Sequence, residues 1–128
     1  MKKVLIICLI GALLLGLCAC TRVTVPQDAA VTLRFHYMDV SVDVQLPEAE
    51  AAQLRDMVAG KALSFDTPSC GFDRDASFAI DGRVFCPACD TCCIIRDCTS
   101  GKYLNVSQAE RDLLDRIFEA YGGFFPCV

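Results

Sequence analysis

The side chains best equipped for chemistry in this sequence are sulfurs. Ten cysteines occur in 128 residues, and Cys86, Cys89, Cys92, Cys93 and Cys98 crowd one short stretch between the more distant Cys70 and Cys127. A thiolate is a nucleophile and a soft metal ligand, and two adjoining thiols can be oxidised to a crosslink. Structural disulfides are the plainest outcome, and all seven of these cysteines are candidates for them. Metal binding is a second, through Cys86, Cys89, Cys92 and Cys93, because thiolates in C-x₂-C steps can converge on one zinc or copper ion. The two steps here share Cys89 and no histidine is near, so the usual pair of separated steps is not met.

Thiol–disulfide exchange is a third outcome. Phe85-Cys86-Pro87-Ala88-Cys89 resembles the C-P-x-C active site of thioredoxin-like proteins over five residues. That resemblance implies a reactive thiolate at a helix N-terminus. Asp90 follows at once and opposes thiolate formation, and Thr91 to Ile95 does not read as a helix. Cys86, Cys89 and Cys92 also resemble the bacterial ferredoxin run. That run continues with three residues, a cysteine and a proline, which this chain lacks.

The N-terminus sets the redox compartment. Lys2 and Lys3 precede an uncharged apolar run, Val4 to Cys18, short for a bilayer-spanning helix and suited to a signal peptide. Leu17-Cys18-Ala19-Cys20 resembles the lipobox of bacterial lipoproteins. The resemblance covers the first twenty residues and implies cleavage before Cys20 and a covalent lipid on that cysteine. An uncleaved N-terminal anchor is the alternative. The expected location is extracytoplasmic and lipid-anchored to the cell membrane, inner or outer if the host has two. No cofactor is expected beyond the lipid on Cys20.

Cleavage removes Cys8 and Cys18, and lipid consumes Cys20. Cys70, Cys86, Cys89, Cys92, Cys93, Cys98 and Cys127 remain, an odd number in an oxidising compartment, so at most three bridges form within the chain. Loss of Lys2 and Lys3 leaves 10 Lys+Arg against 16 Asp+Glu, a net charge of −6. An acidic domain does not bind nucleic acid through charge. The partners expected are the membrane, through the lipid, and an envelope protein.

Other candidates are weak. His36 is the only histidine and lies on the polar side of an alternating segment, so no nucleophile–base pair includes it. Asp73, Asp75, Ser77 and Asp81 imitate the start of a calcium loop, but Phe78 replaces its turn glycine and Val84 its last glutamate. Asp112 and Asp115, with Arg111 and Arg116, read as the solvated face of a helix. No catalytic set emerges.

The elements that must position the cysteines are easier to read. Val31 to Tyr37 and Val40 to Leu46 alternate apolar and polar residues about Met38-Asp39, which predicts a hairpin. Pro47-Glu48 opens a helix to about Ala59, with Gly60 as its stop. Asp81-Gly82 predicts a second hairpin, Ser77 to Ile80 with Arg83 to Cys86. Ile94 to Arg96 and Lys102 to Val106 are further strands. Ser107-Gln108-Ala109-Glu110 is a capping-box pattern that starts a second helix. Leu46 to Val58 aligns with Val106 to Phe118 at an offset of 60, so a strand–strand–helix unit occurs twice or two capped amphipathic helices look alike.

The expected fold is α+β: a small antiparallel sheet with two helices on one face, rich in disulfides. The expected divisions are a signal peptide at 1–19, a linker at 20–30 and one domain at 31–128. The expected function is that of a membrane-anchored envelope interaction or accessory module without enzymatic activity. The alternative is thiol redox or metal handling at the cluster.

Overall fold

The computed structural model describes residues 22 to 125. The signal segment 1–19, Cys20 and Cys127 lie outside the described residues. Six strands form one antiparallel sheet: β1 Val31–Tyr37, β2 Val40–Gln45, β3 Ala76–Ile80, β4 Arg83–Pro87, β5 Ile94–Asp97 and β6 Lys102–Asn105. Two helices accompany them, α1 Glu48–Val58 and α2 Gln108–Ala120. The spatial order is β2-β1-β3-β4-β5-β6. This is the α+β arrangement that the alternation and capping patterns predict.

Alternation decides which side each residue takes. Val31, Leu33 and Phe35 of β1, Phe78 and Ile80 of β3, Phe85 of β4, Ile95 of β5 and Leu104 of β6 are fully or almost fully buried in one core. Both helices close that core with Leu54, Met57 and Val58 of α1 and Leu114, Ile117 and Phe118 of α2. Burying such a side chain contributes about 1.5–3 kcal/mol, so this single apolar layer dominates the stability. The hairpin tips are tight, with Met38 and Asp81 at positive φ and Gly82 completing the second turn.

The helices begin differently. Ser107 accepts from the Glu110 N–H at 3.1 Å, and the Glu110 carboxylate accepts from the Ser107 N–H at 2.7 Å, completing the capping box. The first helix has Pro47 at its N-cap with no side-chain cap. Its N-terminal turn is held from within, by Arg55 reaching back to Glu48. Lys61, just past α1, pairs with Glu110 at 2.9 Å and joins the two helices at one end.

The offset of 60 holds in three dimensions. Leu46 and Val106, Ala51 and Arg111, Leu54 and Leu114, Met57 and Ile117, and Val58 and Phe118 are matched pairs in sequence, and every member is buried. In the sheet, β2-β1 occupies one edge and β6-β5 the other, with the β3–β4 hairpin between. Counted inward from either edge, the sheet runs from the second to the first strand of a strand–strand–helix succession, which therefore occurs twice in the topology.

Two expectations change. Part of the linker expected at 20–30 is instead folded: Val23 and Val25 are buried in the core, and Arg22 bridges Ala62. Backbone bonds between Val23 and Lys61 and between Gly60 and Val23, at 2.9 and 2.8 Å, hold this strand-like lead. The Val23-Thr24-Val25 alternation outweighs the polar composition around it. Arg111, read as solvated, is 3% exposed. Its guanidinium is satisfied by the Ala88 and Cys92 carbonyls and by Asp115, and it lies 4.5 Å from the centre of the Phe125 ring. Burial is tolerated because charge and donors are met.

Candidate functional site

The cysteines are held by β4, by β5 and by the irregular stretch 61–75, which passes from α1 to β3. That stretch runs beside the sheet edge, where Ser64 and Tyr103 exchange backbone bonds at 2.8 and 2.9 Å. It then crosses the face away from the helices, with the Phe72 ring 5.4 Å from Tyr103. Phe72 bridges Ala88, and the Cys89 N–H donates to Gly71 at 2.9 Å. Cys70 and Cys92 are joined by a disulfide, which fastens the stretch to the segment following β4.

Cys86 and Cys98 form a second neighbouring pair. In the β4–β5 ladder Cys86 stands opposite Arg96, and the Cys98 N–H donates to the Val84 carbonyl at 2.9 Å. The two cysteines are therefore diagonal neighbours on one sheet face, the face opposite the Phe85 core. Cys86 is fully buried and Cys98 only half-buried. The Cys98 sulfur donates to the Arg96 carbonyl at 3.9 Å, and Arg74 and Arg96 bring positive charge to both cysteines. Contact with Cys86 and the two guanidinium groups outweighs burial and lowers the Cys98 thiol to about 7. Contact with Cys98 and then burial push the Cys86 thiol up.

The remaining cysteines are apart. Cys89 is buried, and burial followed by the nearby Asp73 carboxylate raises its thiol. Cys93 turns to the opposite side from Cys92, packing against the core with its sulfur 3.4 Å from Gln108 Oε1. Thus Cys86 and Cys89 of the C-P-x-C sequence face different partners, and Cys86, Cys89, Cys92 and Cys93 do not converge on one point. The one group with metal-ligand spacing among the described residues is Cys70, Asp90 and Cys92, within 4.8 Å of one another. Its two sulfurs are already joined to each other.

A cavity of about 260 Å³ opens beside Cys89, lined by Asp90, Gln108, Arg111, Asp115 and Phe125. Arg111, the one cation among its described lining residues, directs Nε to Asp115 and Nη1 to the Ala88 and Cys92 carbonyls. On the open sheet face a groove of about 220 Å³ runs along Arg34, Ser77 and Ala79 to Val84 and Arg74. His36 is paired at 2.7 Å with Asp43 of β2, which also lines this groove. No helix of the described residues is long and apolar enough to cross a membrane.

Sequence reading singled out every one of these cysteines but missed their pairing and the arginines that attend them. The C-P-x-C spacing draws attention to neighbours in sequence, whereas the partner of Cys86 is supplied by strand register. Arg74 and Arg96 carry no local signal; only the ladder and the crossing stretch bring them to the sulfurs. Comparison with protein-family models, curated proteins and solved structures found no match.

Proposed function

We propose that the chain is a bacterial lipoprotein whose folded body stands outside the cytoplasmic membrane, tethered by lipid on Cys20, as an interaction or accessory module rather than an enzyme. The observation that carries this reading is the distribution of sulfurs. Cys70 is bonded to Cys92, and Cys86 adjoins Cys98. Pairwise placement suits an oxidising compartment, where crosslinks persist. The lipobox-like Leu17-Cys18-Ala19-Cys20 supports export and supplies the tether. Each acyl methylene buried in a bilayer contributes about 0.8 kcal/mol, so two or more chains anchor stably.

Metabolic labelling with radioactive fatty acid, followed by fractionation, tests the tether. Cys20→Ala abolishes the label and changes both precursor processing and membrane retention. Unchanged processing and retention would overturn the reading. A second reading, thiol redox, is favoured by the asymmetric environment of Cys86 and Cys98.

A further inference from the structure

We infer that Cys86 and Cys98 are a dithiol–disulfide couple that exchanges with external thiols, and that Cys98 is the sulfur the external thiol meets. This goes beyond the anchoring proposal and does not depend on lipid at Cys20. Three observations carry it. The β4–β5 register makes the two cysteines diagonal neighbours on one sheet face. Burial is unequal: Cys86 is closed off, while Cys98 is half-open. The groove on the open face ends at Val84 and Arg74, which give Cys98 its backbone partner and a guanidinium hydrogen bond at 3.5 Å to its carbonyl.

The surroundings distinguish this couple from Cys70–Cys92. Arg74 and Arg96 favour negative charge on sulfur, which stabilises the reduced form. Beside Cys70 and Cys92 stands instead the Asp90 carboxylate, which opposes a thiolate. The Cys86–Cys98 couple, both thiols in this structure, is thus built to open and the Cys70–Cys92 disulfide to stay shut.

Exchange proceeds in two displacements. An external thiolate attacks Cys98 Sγ; a new S–S bond forms, the Cys86–Cys98 bond breaks, and its electron pair leaves on Cys86 Sγ, which takes a proton. A second external thiolate then attacks the external sulfur of the mixed disulfide and expels Cys98 as a thiolate. Two external thiolates are oxidised to one disulfide, and the couple is reduced by two electrons. A Cys98 thiol near 7 makes a good leaving group at neutral pH.

The test uses the full chain in detergent, equilibrated in graded mixtures of reduced and oxidised glutathione. Samples are quenched with acid, alkylated and mapped by peptide mass spectrometry. Cys86 and Cys98 become alkylated together, at a reduced-glutathione concentration at least tenfold below that needed for Cys70 and Cys92. In Cys86→Ser, glutathione accumulates on Cys98; in Cys98→Ser it does not accumulate on Cys86. In the fully reduced protein, Arg96→Gln moves the pH profile of Cys98 alkylation upward. The inference fails if no Cys86–Cys98 bond forms in oxidised glutathione, or if it opens no more readily than Cys70–Cys92. The wild-type titration decides these outcomes whether or not the variants fold.

Discussion

Asp97 shows how far a single carboxylate can be buried in this fold. Its side chain has no exposed surface, on the helix side of β5, yet every lone pair is addressed. Arg83 donates at 2.6 and 3.1 Å, the Ser100 hydroxyl at 2.6 Å and the Thr99 N–H at 3.0 Å. Burial pushes the carboxyl up, but the bonds from Arg83 and Ser100 outweigh it and hold Asp97 below the usual carboxylate range. A lowered folded pKa contributes stability that is present above the unfolded value of about 4 and is lost as pH falls through the folded value. Asp97→Asn should therefore cost about 3 kcal/mol at pH 7. Arg83, about a quarter exposed, keeps access to water and limits the loss. Urea unfolding at pH 7 and pH 3 checks this: the gap between wild type and variant narrows in acid, and an equal gap at both pH values contradicts the assignment.

At the scale of elements, α2 is nucleated at its first turn. Ser107 and Glu110 satisfy each other's backbone N–H groups, and Glu110 also receives Lys61. Ser107→Ala should cost about 1 kcal/mol, read as a lower urea midpoint with an unchanged slope. A change within error would mean that packing of Leu114, Ile117 and Phe118 alone sets the helix. The sequence made these elements legible because their signals are local. Alternation in Val31 to Tyr37, the Asp81-Gly82 turn and the Ser107 box each reside within a few residues. The candidate site was legible only as an inventory of sulfurs. Cys70 meets Cys92 across a sequence separation of 22, and Cys86 meets Cys98 through a ladder, so neither pairing has a local signature. Arg111 was misread for a related reason: a charged residue at helical spacing looks solvated until Ala88, Cys92 and Phe125 arrive to enclose it.

Among the described residues a strand–strand–helix succession occurs on each side of a central hairpin, and the core extends past both at the N-terminal side. Val23 and Val25 belong to no repeat, yet both are buried against it. A soluble form beginning at Pro26 should be less stable than one beginning at Thr21 by about 3 kcal/mol or more, since two valines lose their cover. Thermal or urea unfolding of the two forms decides it; equal stability would mean that the lead contributes nothing. The docking of Arg22 on Ala62 also bears on reach. Position 20 lies two residues from a residue already fixed to the body, a span of about 7 Å at full extension. The lipid proposed at Cys20 would moor the domain against the headgroups with almost no slack, like a boat tied bow to quay. Any partner of a protein so tethered would have to come down to the membrane surface.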